Sequence, residues 1–167
     1  LEKRNGMTIL CDTREHKEQL YRVMRQIRAA GHECRIQKLD TGDYQIDGLP
    51  GVVLDRKQDL LELCSNVCQQ HERFQRELAR AREQGIKLIF LCEHGKEIRT
   101  VEDVKAWINP RIARSPKATT GEQLYKSMMT MINRYGVSFH FCEKTHTGSE
   151  IARLLEYYNS HDERRDP

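Results

Sequence analysis

The chain has 167 residues, of which 38% are hydrophobic and 32% charged, with a formal net charge of +3. That length suits one domain, 7–160, with flexible ends at 1–6 and 161–167, and is short for two ordinary cores. The longest apolar run, 86–92, is broken by Lys87 and falls far below the roughly 20 residues of a membrane-spanning helix, so no membrane role is expected.

In chain order, 7–12 is a short apolar run ending in a carboxylate and reads as a strand. Leu20, Val23, Met24 and Ile27 follow at helical spacing until Gly31. A second strand is expected over 33–39. Residues 44–46 and 52–54 then flank the turn formers Asp47, Gly48, Leu49, Pro50 and Gly51 as a hairpin. From Gln58 the period is helical again, through Leu60, Leu63, Cys64 and Val67 and on to Phe74, Leu78 and Ala81, as one helix or as two broken near Gln70. The continuous apolar run 86–92 predicts a buried parallel strand in the middle of the sheet. A short helix over 101–108 precedes a Pro-, Arg-, Ser- and Thr-rich loop over 109–121, the least structured stretch. Thr120 and Gln123 resemble a capping box before a helix through Leu124, Met128 and Met131 that Gly136 stops. The last strand is 137–141, and Thr147 with Glu150 predicts a second capping box for a closing helix. This order is that of an α/β fold with a central mixed β-sheet flanked by helices.

The hairpin carries the chemistry. If it is symmetric about Leu49, facing residues share one sum of numbers, and Asp43 stands opposite Asp55. Directly paired residues have Cβ atoms roughly 5 Å apart, and like charges there repel unless a cation lies between them. Magnesium prefers oxygen ligands, binds through one or two carboxylates and keeps waters for substrate and nucleophile. Lys57, two residues past Asp55, shares its face of the strand, whereas Arg56 points the other way. An ammonium there can position or deprotonate an attacking water and offset charge on a phosphate in transfer. The geometry therefore proposes phosphodiester hydrolysis, although an aspartate, a turn and a charged triplet also describe an ordinary solvated hairpin.

Four pieces occur in order: Asp12-Thr13-Arg14-Glu15, Gly42-Asp43-Tyr44, Asp55-Arg56-Lys57, and Arg73-Phe74 with Glu77. Together, over about 7–142, they resemble the XPF family nuclease domain. The resemblance implies a restriction-endonuclease-like core and Mg2+- or Mn2+-dependent endonuclease cleavage of DNA at branched, flapped or single-strand/duplex junctions. It implies Asp43 and Asp55 as metal ligands, Lys57 as the catalytic cation, and Asp12 (metal) and Glu15 (catalytic) completing the carboxylate cluster. Arg56 would be structural, and Arg73 and Glu77 would brace the site. The family usually has glutamate where this chain has Asp55, one methylene shorter but still a magnesium ligand. The thirty residues after Val137 leave no room for the family's tandem helix-hairpin-helix module. Dimerisation through late helices is common in the family, so a homodimer, or a heterodimer with a DNA-targeting subunit, is expected.

Arg14, with Arg111, Arg114 and Lys117 of the long loop, can hold DNA phosphates by charge and hydrogen bonds; the plainer alternative for the loop is a solvated connector. Asp12 and Glu15 equally suit a strand end and the first turn of a helix. Gly42 and Tyr44 suit turn and packing, and Trp107 and Phe141 are expected in the core. Six cysteines at uneven spacing, with no secretory signal, predict reduced thiols and a cytoplasmic or nuclear protein. Cys64, Cys68 and His71 suggest an alternative structural zinc in a binding module. The rival function of a different class is a catalytically silent DNA-binding or scaffold subunit.

Overall fold

The computed structural model describes residues 6–161; most of the two expected flexible ends, 1–5 and 162–167, lies outside the described residues. The strands are β1 (Thr8–Cys11), β2 (Glu33–Ile36), β3 (Tyr44–Ile46), β4 (Leu49–Lys57), β5 (Lys87–Glu93) and β6 (Ser138–Cys142). The helices are α1 (Lys17–Ala29), α2 (Leu60–Cys68), α3 (His71–Glu83), α4 (Gly121–Tyr135) and α5 (Thr147–Ser160). Strand order is β2-β1-β3-β4-β5-β6, in one mixed six-stranded sheet. Contacts divide the chain into two compact units, one running to Asp55 and resuming at Lys144, the other Arg56–Glu143.

In the first unit β1 pairs parallel with β2 and antiparallel with β3, and β3 pairs antiparallel with β4. Ile9, Leu10 and Cys11 are buried, as are Leu20, Val23, Met24 and Ile27 on the inward stripe of α1. Helix α5 crosses α1 at a distance only a glycine allows: a Cβ on Gly148 would lie 2.4 Å from Gln26 Cβ and 2.6 Å from the Ile27 nitrogen. Gln26 in return accepts the Gly148 N–H at 2.8 Å and donates to the Lys144 carbonyl. The expected Thr147–Glu150 capping box is absent. Thr147 lies inside the first turn of α5, buried, with its hydroxyl directed to the Lys144 carbonyl and accepting from Arg22, while Glu150 pairs with Arg153.

In the second unit β5 and β6 pair parallel, with Ile89 opposite Ser138 and Glu93 opposite Cys142. Phe90 stacks on Phe139 at 5.1 Å and meets Phe74 of α3 at 5.6 Å, joining helix and sheet through one aromatic cluster. The helical stretch after Gln58 is two helices, and Asp59 caps the first by accepting the Glu62 N–H. Thr120 and Gln123 form the expected capping box.

Three further expectations are corrected. β5 is next to the edge, the middle strands being β3 and β4; a continuous apolar run reports burial on both faces, and β5 has that burial without a central place. The hairpin turn is only Asp47 and Gly48, and β4 already begins at Leu49. Two residue steps on β3, Tyr44 to Ile46, face five on β4, Leu49 to Leu54, so the surplus bulges out. A bulge is a place where a strand tolerates Pro50, which has no N–H to give the ladder. Finally, the 109–121 stretch is built rather than loose: it contains a 3-10 turn, Pro110–Ala113, and buried Asn109 clasps its far end by donating to the Thr119 carbonyl at 2.9 Å.

Candidate active site

The site grows from the ends of three neighbouring strands in the first unit. Cys11 is opposite Tyr44, and Tyr44 is opposite Leu54. One step further along lie Asp12, Asp43 and Asp55. Backbone bonds fasten that row, the Asp12 N–H donating to the Asp43 carbonyl at 2.8 Å and the Asp43 N–H to the Leu54 carbonyl at 2.9 Å. The register at Tyr44 and Leu54 is the one expected from symmetry about Leu49, although the turn that produces it is not symmetric.

Gly42 permits this approach. Its φ is +67°, and a Cβ there would lie 2.2 Å from Val53 Cγ1 and 3.2 Å from the Leu54 carbonyl oxygen. The backbone therefore lies directly on β4 just before Asp43, a closeness and a left-handed conformation that together require glycine.

Asp43 and Asp55 are half-buried, whereas Asp12 is fully buried. Asp12 Oδ1 accepts the Leu39 N–H at 2.7 Å, and Oδ2 accepts the Arg14 N–H at 3.1 Å and Arg14 Nε at 2.5 Å. Burial alone would raise the Asp12 pKa, but these donors outweigh it and hold the carboxyl below its ordinary range. Both oxygens expected to face a metal are thus engaged by the protein. Arg14 also donates to the carbonyls of Leu39 and Gly42, at 3.1 and 3.3 Å. Its pKa is raised, first by the bond to Asp12 and further by the charges of Asp12, Asp43 and Asp55, so one guanidinium senses all three acids. The expected DNA contact Arg14 is in this structure a stitch between the strand end and the turn before Asp43.

Tyr44 is fully buried and its hydroxyl donates to Glu15 Oε2 at 3.0 Å. Burial, then the charge of Glu15, raises its pKa, so it stays a neutral donor that fixes Glu15.

In the second unit, the last residues of β4 turn their side chains to opposite partners. Arg56 forms a buried ion pair with Glu93 at the end of β5. Lys57 is 8% exposed, and its Nζ lies 5.8 Å from the ring centroids of both Phe74 and Phe90, within cation–π range. Arg73 and Glu77 pair with each other at 3.5 Å on the solvated side of α3, 72% and 59% exposed, while Phe74 is turned inward.

Arg111, Arg114 and Lys117 are exposed on the 3-10 turn and the residues after it. Trp107 and Phe141 are half-buried rather than core. Cys64, Cys68 and His71 do not gather as a metal group; the His71 ring nitrogen Nδ1 lies 3.0 Å from the Val67 carbonyl. Among the described residues no three of His, Cys, Asp and Glu converge on a metal position. Asp43 and Asp55 offer carboxylate oxygens, the donor type that hard cations such as Mg2+ or Mn2+ take.

The sequence reading missed Glu93 and the two rings at Lys57. Glu93 had a signal: it ends a buried strand with a carboxylate, as Asp12 does. The partnership of Asp12 with Leu39 had none, since 27 residues separate them.

The sequence matches the ERCC4 domain over residues 11–154. The chain belongs to that family. It is a family of DNA nucleases. Two solved structures have the same fold. XPF from Aeropyrum pernix shares 17% identity at a TM-score of 0.64, covering 92% of this chain and 66% of its own. XPF from Aeropyrum pernix in complex with DNA shares 16% at 0.64, covering 95% of this chain and 69% of its own. The chain thus spans about two thirds of the length of those proteins. No curated protein matches it. Among the described residues no helix is long and apolar enough to cross a membrane.

Proposed function

We propose that this ERCC4 domain is a divalent-metal-dependent DNA endonuclease, hydrolysing phosphodiester bonds at branched, flapped or single-strand/duplex junctions inside the cell, in repair or recombination. Asp43 and Asp55 hold Mg2+ or Mn2+. The observation that carries this reading is the register of β3 and β4, which sets two half-buried carboxylates one step beyond the Tyr44–Leu54 pair, a grouping of oxygens that suits a hard divalent cation. When bound, the ion supplies Lewis acidity at a phosphate oxygen and an acidified water.

The protein's own residues do the rest. Asp12 holds Arg14 and the turn before Asp43, so the pair is pre-set rather than assembled on binding. Glu15, oriented by Tyr44, stands near as a second-rank acid for positioning water. Lys57, two residues after Asp55 and so on its face of β4, offsets charge that develops on the phosphate. Arg111, Arg114 and Lys117 hold the DNA backbone. The DNA complex of the Aeropyrum pernix relative supports DNA as the partner, and a second subunit, identical or not, supplies further grip.

The test incubates the chain with labelled single-stranded, duplex, flap and fork DNA in Mg2+, Mn2+ or chelator, beside Asp43→Asn and Lys57→Ala. Cutting of junction DNA that chelator and either substitution abolish supports the proposal. Cutting that survives chelator overturns the metal mechanism, and binding without cutting supports a scaffold subunit instead.

A further inference from the structure

Helix α2 carries Cys64 and Cys68 one turn apart, with their Sγ atoms 3.8 Å from each other. Cys64 is buried, and Cys68, the last residue of the helix, is exposed. The Thr119 hydroxyl donates to Cys68 Sγ at 3.1 Å, while Asn109 holds the Thr119 carbonyl. An accessible sulfur with an O–H donor on it thus stands beside a sheltered second thiol, and the same donor anchors the end of the basic 110–117 segment. We propose that Cys64 and Cys68 form a hydroperoxide-oxidisable dithiol site that closes to an intrachain disulfide and releases Thr119.

The Cys68 thiolate attacks the peroxide; an S–O bond forms, the O–O bond breaks, and the alcohol leaves with one proton. The Cys64 sulfur then attacks the Cys68 sulfenic acid; the S–S bond forms, the S–O bond breaks, and hydroxide takes the Cys64 proton to leave as water. Two thiols supply two electrons and one hydroperoxide accepts them. The Thr119 hydroxyl lies on the attacking sulfur and marks the side from which it is released. Burial pushes the Cys64 thiol up to about 11, so it stays protonated while the exposed Cys68 meets the peroxide first.

Geometry decides what must move. Residues four apart on a helix have Cβ atoms roughly 5–6 Å apart, whereas a disulfide needs about 3.5–4.5 Å. Cys64 is packed in the core, so Cys68 makes the movement. It can, because the helix ends there: the N–H groups of Gln69 and Gln70 both converge on the Ser65 carbonyl, and α3 starts only at His71. Rewinding that last turn draws Cys68 Sγ inward, away from Thr119, and loosens the segment bearing Arg111, Arg114 and Lys117.

The test treats the reduced full chain with hydrogen peroxide and follows peptides by mass. Expected are a loss of about 2 Da on the peptide bearing both cysteines, a dimedone-trapped sulfenic acid on Cys68 in Cys64→Ser, and neither product in Cys68→Ser. Trypsin should cut after Arg111, Arg114 and Lys117 several-fold faster in the oxidised chain. Cys11, Cys34, Cys92 and Cys142 stay in place, and matching melting curves establish that the serine variants fold. Oxidation that spares this pair, or cleavage rates equal in the two redox states, overturns the proposal, and neither readout depends on nuclease activity.

Discussion

Glu93→Gln keeps the shape of the Arg56 partner and removes its charge. The Arg56 side chain is 7% exposed and that of Glu93 0%, so the substitution takes the partner's charge away from a guanidinium in the second unit's interior. Breaking a buried pair from one side costs about 3–5 kcal/mol. For a chain of this size each kcal/mol shifts the melting transition by roughly 2–4 °C, so Glu93→Gln should melt about 6–20 °C lower. Arg56→Met breaks the same pair from the other side and should also lower the melting transition. The double variant Arg56→Met, Glu93→Leu has no buried charge to strand and should recover most of the loss. Urea unfolding followed by circular dichroism measures all four proteins, with an unchanged m-value as the check that only stability has moved. Additive losses below about 1 kcal/mol each would refute the reasoning, because that is how a solvated pair behaves. Since Arg56 lies between Asp55 and Lys57, the same pair fixes the strand that presents both.

Gly42→Ala should cost about 2–5 kcal/mol, from roughly 1–2 for a left-handed alanine and 1–3 for forcing Val53 aside; a loss under 1 kcal/mol in the same urea assay would contradict the close approach to β4. Asp12→Asn should reveal a pH-dependent anchor. The folded pKa of Asp12 lies below its unfolded value, so its stabilisation is full above about pH 4–5 and fades as pH falls through the folded pKa. The gap between wild type and Asp12→Asn, about 2–4 kcal/mol near neutrality, should therefore narrow towards pH 2, and a gap constant from pH 7 to pH 2 would contradict this.

The row of strand-end acids was legible because it depends on two local rules: strand alternation, and an Asp-Gly turn that sends the chain back. The bulge in β4 was not. Period-two patterning counts faces and not surplus residues, so Leu49, Pro50 and Gly51 read as turn while the ladder register near Asp43 was still right. In α3 the helical period already turns Phe74, Leu78 and Ala81 inward, and it leaves Arg73 and Glu77 on the solvated side. Burial of Asp12 and Lys57 was illegible for a common reason. Their partners, Leu39 for one and Phe74 and Phe90 for the other, are distant in sequence and meet only through the tertiary fold.

Direct Mn2+ binding, followed by electron paramagnetic resonance without DNA, tests the central claim most closely. Wild type and Asp40→Asn, a control at an exposed carboxylate before the turn, should bind the ion alike, whereas Asp43→Asn and Asp55→Asn should each weaken it at least about tenfold. Equal binding by all four proteins, each with its fold intact, would contradict the assignment of those two acids.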